Sequence, residues 1–298
     1  MEKWEQIARE SLSKEFEAFK RSLVGGRRPD SVEFTNIEGD VKRRDLTINA
    51  LFYDIDTHEI VDLVGGVSDL RNGIVRTVGQ PEDRFGEDRL RIMRAIRFAG
   101  RFGNQLDQAT DLALQKDSSL EGISAERIRD EFIKGLKSAK SIKHFISLLD
   151  KYKLFNWIFK GLNVDLSKVS DKDTDYIILI ASILKNNNLD VLRKTLNKLT
   201  YGVDEIKGIS FLIALLKLDI ETAVILKKAQ EHSSLSNEQI KMFGLKNNID
   251  RRLLDAFLSF RLTVSGAEVM DEFGLKPSPE LGAKIQQIET ENFKKLIK

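Results

Sequence analysis

The segment Arg84–Phe102 holds six arginines, at 84, 89, 91, 94, 97 and 101, against two acids, Glu87 and Asp88, in a chain whose net charge is only +2. Guanidinium forks match phosphates and base edges two bonds at a time, and a carboxylate accepts from an exocyclic amine. At 100° per residue Glu87, Arg91 and Arg94 fall in one narrow sector of a helix, with Asp88 about 60° from Arg91. Acid and guanidinium groups would then share one face. The same spacing also suits an exposed helix with acids in its first turn and i,i+4 ion pairs, which needs no ligand.

A second basic cluster stands upstream, in Arg43-Arg44-Asp45-Leu46-Thr47-Ile48-Asn49-Ala50. Here two guanidiniums precede a short helix that Asp45 can cap, running through Thr47, Asn49 and Leu51, and free amides at a helix start favour anions. Its structural alternative is a solvated basic turn before a capped helix; two such clusters together favour an anionic ligand. Asp54-Ile55-Asp56 is the Asp-x-Asp nearest both. On a strand, alternation would point the Asp54 and Asp56 carboxylates the same way as a cation site, whereas in a turn they would simply be solvated. Glu33, on an expected strand, is a weaker carboxylate candidate. With no cysteine, the chain has no disulfide, thiolate zinc site or cysteine nucleophile, and His58, His144 and His232 lack ligand spacing.

These residues resemble a known family. Arg43–Ala50 looks like an RRDFTINA element, and Gly65-Gly66, Asp69-Leu70 and Ile74-Val75-Arg76 look like its GG, DL and IRT signature. Arg84-Phe85-Gly86-Glu87-Asp88-Arg89-Leu90-Arg91 with Arg94 and Arg97 is similar to an EDxxRxxR helix, and Ser124-Ala125-Glu126-Arg127 with Glu131 to the element that follows it. Together they mark the class II, or bacterial-type, CCA-adding tRNA nucleotidyltransferases and the related bacterial poly(A) polymerases. The resemblance covers about residues 27 to 137. Arg89 stands where the family has proline, and Leu46 where it has phenylalanine.

The resemblance implies an enzyme that adds CMP and AMP to the tRNA 3′ end, or AMP to RNA 3′ ends, without a nucleic-acid template. By it, Asp88 and Arg91 read the incoming base, with Glu87 and Arg94 in support. Arg43, Arg44, Asp45 and Asn49 handle ribose and triphosphate, and Arg127 with Glu131 braces the helices. ATP and CTP are the implied substrates, Mg2+ the implied metal, and tRNA or another RNA 3′ end the implied partner. One carboxylate acceptor beside one arginine donor suits cytosine and adenine, which both present an amine next to an unprotonated ring nitrogen; uracil and guanine present the reverse. The family's metal-binding Asp-x-Asp follows a GGxVRD element ahead of the RRD motif, but here Gly25-Gly26 runs straight into Arg27-Arg28-Pro29-Asp30. The catalytic strands are therefore expected to be missing, leaving three readings: an enzyme half completed by a second chain, a nucleotide- or RNA-binding relative without catalysis, or, outside the family, a helical interaction protein.

Elements that would position these groups are legible from punctuation and period. Prolines occur at 29, 81, 277 and 279 only, so the proline-free stretch between 82 and 276, rich in Leu, Ile, Lys and Glu, predicts a succession of helices. Ser124 is placed to cap a helix running toward Leu136, and polar clusters at Asp165–Asp175, Lys185–Asn188 and Ser233–Asn237 predict helix connections. Residues 27 to 80 differ: Val32–Thr35, Glu59–Leu63 and Ile74–Val78 read as β runs, with Gly65-Gly66 as a turn. The expected class is α+β, predominantly α. It comprises an N-terminal amphipathic helix (1–26), an incomplete nucleotidyltransferase α/β head (27–103), a helical neck (104–163) and a helical body and tail (164–298). Lysines such as Lys151, Lys153 and Lys160 are expected to touch an RNA stem. The longest apolar run, Ile177–Leu184, is far short of the ~18 residues that span a bilayer, and no signal-peptide pattern opens the chain, so the expected setting is cytoplasmic with no membrane partner.

Overall fold

The computed structural model describes residues 36–297. The amphipathic helix expected at the N-terminus and the Val32–Thr35 strand carrying Glu33 lie outside the described residues.

The head opens with helix α1 (Ile37–Arg43), whose first turn is capped by Asn36 accepting from the Gly39 amide at 2.9 Å. A 3-10 turn (Thr47–Asn49) follows, then an antiparallel hairpin of β1 (Leu51–Tyr53) and β2 (Ile60–Asp62), with Leu51 opposite Asp62 and Tyr53 opposite Ile60. The short helix expected through Leu51 is thus only a 3-10 turn. Its N-cap, Leu46, offers no side-chain cap, because the Asp45 carboxylate is taken by Arg94 from elsewhere in the fold. Leu51 instead begins the strand that Ile60-Val61-Asp62 pairs.

Gly65, at φ 80°, makes the expected turn, which leads directly into helix α2 (Gly66–Asn72). Four amides at that helix start, those of Val64, Gly65, Gly66 and Val67, donate to the Asp62 carboxylate at 2.8 to 3.1 Å. This satisfies donors that a helix N-terminus leaves orphaned. Gly66 lies so close to the Thr47 carbonyl that a Cβ there would overlap it, which locks α2 against the 3-10 turn. Strand β3 (Ile74–Val75) follows.

Next come α3 (Pro81–Glu87), with proline in its first turn, and α4 (Leu90–Phe102). The single helix expected across this segment is broken. Asp88 is extended (φ −148°, ψ 106°), and its Oδ1 accepts from the Leu90 amide at 2.9 Å, the competition by which a short acidic side chain ends one helix and starts another. A further departure from the all-helical expectation is β4 (Gln105–Leu106), which pairs in parallel with β3.

Beyond it every element is helical: α5 (Gln108–Lys116), α6 (Ala125–Ser138), α7 (Ile142–Lys151), α8 (Phe155–Ile158), α9 (Tyr176–Leu184), α10 (Leu189–Lys198), α11 (Val203–Leu215), α12 (Ala223–Glu231), α13 (Asn237–Lys246), α14 (Arg251–Ser259), α15 (Gly266–Phe273) and α16 (Pro279–Ile297). Ser124 caps α6 as expected, and the three polar clusters fall between helices. Phe145 of α7 is wedged against Gly100 of α4 and Gly135 of α6, positions where any side chain would collide with its ring. One hydrophobic core runs without a break from Leu46 in the head to Phe293 in α16; a small satellite of Val41, Ala50 and Val78 lies beside Phe52 and Val64 of the hairpin region. The architecture is α+β, with a small head and a helical body.

Candidate functional site

The site is built where α1, the 3-10 turn, α3 and α4 meet. Asp45 is buried, 7% exposed, and accepts from Arg94 Nε at 2.5 Å and from Asn49 Nδ2 at 3.2 Å. Burial pushes its pKa up, but the Arg94 guanidinium and the Asn49 amide outweigh it, so the carboxyl stays below its ordinary range. The two adjacent arginines part company. Arg44 donates from Nε and Nη2 to Asp40 and from Nη1 to the Asn49 carbonyl, and it lies 5.2 Å from the Phe52 ring centroid. Arg43 pairs with the same Asp40 yet leaves its side chain 75% exposed.

At the break between α3 and α4, Asp88 Oδ2 accepts from Arg127 Nη2 at 2.9 Å. Arg91 Nη1 donates to Glu87 at 2.5 Å and to the Arg84 carbonyl at 3.2 Å, while Nη2 reaches the Arg43 carbonyl at 2.9 Å. Glu87 also pairs with Arg84. Farther along α4, Arg97 donates to the buried Glu131 of α6 at 2.6 Å, and Lys134 reaches the other oxygen at 3.2 Å. Arg89 faces elsewhere, toward Asp117 and the Ser119 carbonyl. The common face expected of a continuous helix is therefore rearranged. Glu87 and Arg91 still meet across the break, Arg94 turns to Asp45, and Asp88 is held by a residue of α6.

Two contributors escaped the sequence reading. Asp40 anchors both Arg43 and Arg44, and its i+3 and i+4 spacing to them was the available signal. Asp69 accepts two-pronged bonds from Arg76 and one from Thr47 Oγ1 at 2.7 Å, tying α2 and β3 to the 3-10 turn; this pairing across the DL and IRT elements has no local signature.

Asp54 and Asp56 lie past the end of β1 in the hairpin turn and not on a strand. Asp54 Oδ1 accepts from the Asp56 and Thr57 amides at 2.9 and 3.1 Å, so of the two alternatives the turn is the one found, and Asp56 is exposed. Among the described residues no group of three or more His, Cys, Asp or Glu side chains could hold a metal ion. Of the lysines, Lys151 is bound to Asp111 at 2.7 Å and Lys160 lies 6.0 Å from the Trp157 ring centroid; Lys153, just past α7, is exposed.

A family model described as the poly A polymerase head domain matches residues 8–76, and one described as a probable RNA and SrmB-binding site of polymerase A matches residues 105–166. The CCA-adding enzyme of Ligilactobacillus salivarius is 35% identical over 297 residues, covering 89% of this chain and 70% of the relative. This chain belongs to the CCA-adding enzyme family. Another CCA-adding enzyme, from Lactococcus lactis subsp. lactis, is 32% identical and covers 91% of this chain and 71% of its own length. The fold agrees with that of the Bacillus stearothermophilus CCA-adding enzyme in complex with CTP (TM-score 0.60, 23% identity, 86% of this chain and 69% of that one). It agrees equally with the Thermotoga maritima CCA-adding enzyme complexed with tRNA (TM-score 0.60, 21% identity, 86% and 70%). Helices α3 and α4, with Asp88 at the break between them and Arg91 on α4, lie between the two matched stretches of this CCA-adding family member.

Proposed function

We propose that this chain is an RNA nucleotidyltransferase that adds CMP and AMP to the 3′ end of tRNA, with CTP and ATP as substrates, magnesium as the metal and the cytoplasm as its setting. The observation that carries the reading is the pairing of a fixed acceptor with a nearby fork at the α3–α4 break. Asp88 is held by the Leu90 amide and by Arg127, and three residues on Arg91 presents its guanidinium from the first turn of α4. A carboxylate has about four lone-pair positions, so two of those on Asp88 stay open to an exocyclic amine. Arg91 completes the pair by exchanging its bond to the Arg43 carbonyl for one to the unprotonated ring nitrogen of cytosine or adenine. Arg43, exposed beside this pair, carries charge suited to the triphosphate, whereas Arg44 and Asp45 are engaged within the protein and set the local geometry. Relatives named CCA-adding enzyme favour CCA addition over poly(A) synthesis.

A second reading is nucleotide and RNA binding without chemistry by this chain alone; the observation that favours it is that Asp54, of the Asp-x-Asp nearest the site, is engaged by the hairpin-turn amides. The test incubates the purified chain with magnesium, labelled CTP or ATP, and tRNA lacking its 3′ end. Ordered incorporation of two C and one A supports the enzyme, and A tracts from ATP alone support poly(A) synthesis. Selective nucleotide binding without incorporation supports the second reading, and rescue by an added chain bearing GGxVRD and Asp-x-Asp would identify a split enzyme.

A further inference from the structure

The two guanidiniums that hold the end of α1 have unequal claims on the site. Arg91 belongs to the proposed base reader; Arg84, on α3, has no assigned role. Arg84 Nη1 donates to the Lys42 carbonyl at 2.6 Å, its Nη2 pairs with Glu87, and its own carbonyl accepts from Arg91. With Arg91 on the Arg43 carbonyl, the last two carbonyls of α1 are each taken by an arginine from across the site. Such carbonyls have no partner inside the helix, so these bonds set where α1 ends. The exposed Arg43 projects from that end.

Arg84 is also an unusual choice for a purely stabilising contact. Its side chain is 19% exposed, and its buried Nε finds no partner among the described residues. A lysine has no Nε–H of the guanidinium kind to leave unpaired there. Only the planar fork engages the Lys42 carbonyl and Glu87 at once in fixed geometry. A local rule broken without a stabilising return is expected where geometry serves function.

We propose that Arg84 is a positioning residue for triphosphate binding: by clasping the end of α1 and Glu87 together, it holds Arg43 at the nucleotide site. This rests on the nucleotidyltransferase reading above. The test compares wild type with Arg84→Lys, Arg84→Gln, Arg43→Ala and the Arg43→Ala/Arg84→Lys double variant, by thermal unfolding and by calorimetric titration with CTP, ATP and UTP. Arg84→Lys is expected to unfold at the wild-type temperature or above it, to bind CTP and ATP about tenfold more weakly, and to keep its preference for both over UTP, because the Arg127 hold on Asp88 is untouched. In the Arg43→Ala background the same change should cost nothing further, since two residues acting through one contact are not additive. Wild-type affinity in Arg84→Lys overturns the proposal, as does a loss that adds in full to that of Arg43→Ala. Failure of both Arg84 variants to fold would mark a structural residue and overturn it too. If wild type binds no triphosphate, the nucleotidyltransferase reading itself fails and takes this one with it.

Discussion

Asp88 shows how much chemistry one carboxylate can carry once its surroundings fix it. The Leu90 amide and Arg127 orient it without exhausting its acceptor capacity, so Asp88→Ala removes the acceptor for an exocyclic amine. The expected loss of discrimination for CTP and ATP over UTP and GTP is about 1 to 3 kcal/mol, the range for a two-pronged base contact. Arg89→Ala should leave that preference unchanged, since Arg89 turns toward Asp117. Titration of all four nucleotides decides it, and equal affinities in wild type would remove the base-reading role. Asp45 makes a prediction in pH. Its folded pKa lies below the ordinary 3.8, so the unfolded chain takes up the proton first on acidification. The stability this group adds is present in full above about pH 4 and is lost as pH falls through its lower folded pKa. Asp45→Asn should therefore be less stable at pH 6 and should flatten the acid limb of a stability–pH curve measured by denaturant titration.

At the scale of elements, the head depends on how α2 is started. Asp62 gathers four amides at that helix N-terminus, and Asp62→Ala should cost about 1 to 2 kcal/mol, as loss of a strong N-cap does. Gly66→Ala places a methyl group against the Thr47 carbonyl. Relief requires α2 to move off the 3-10 turn that carries Asn49, with a cost on the order of 1 to 3 kcal/mol for overpacking. Amide exchange should separate the two variants: both expose α2, but Gly66→Ala should also expose Thr47–Ala50.

Among the described residues a main core joins head and body beside a small satellite, while the chain as a whole is near neutral, and that charge bears on partners. With a net charge of +2 and Lys151 already paired to Asp111, tRNA binding should rest on few phosphate contacts. Affinity should fall with salt along a shallow line, each phosphate contact adding roughly 0.9 to the slope of log K against log salt. No weakening between low and high salt would contradict an RNA partner. Deep in the body, Lys227 is buried, donates to the Phe257 carbonyl at 3.0 Å and has its pKa pushed down to about 8 by burial and by Arg261. Between pH 8 and its ordinary 10.5 the unfolded chain holds the extra proton, so stability should rise with pH over that window. Thermal unfolding of Lys227→Met from pH 7.5 to 10 should lack that rise.

What the sequence determined by itself was local. The Ser124 cap, the polar connections and the glycine turn at 65 express rules acting over three or four residues and are where they were expected, as is the proline-free helical run apart from β4. The charged residues of the two clusters were also visible, because unlike charges at short spacing and ordered motifs can be seen without a fold. The arrangement was not. Helical periodicity placed Asp88 beside Arg91, but the Asp88 side chain competes for the Leu90 amide and breaks the helix, and its second oxygen is claimed by Arg127, 39 residues on. Likewise two neighbouring arginines looked equivalent until Asp40 and the Asn49 carbonyl engaged one fully and left the other exposed. Asp54 and Asp56 suited either a strand pair or a turn until β1 ended at Tyr53 and put them in the hairpin turn. Backbone preferences act on neighbours and can be read along the chain. Which carboxylate a guanidinium finally meets is decided by the packing of elements far apart in sequence, and the tertiary structure alone sets that.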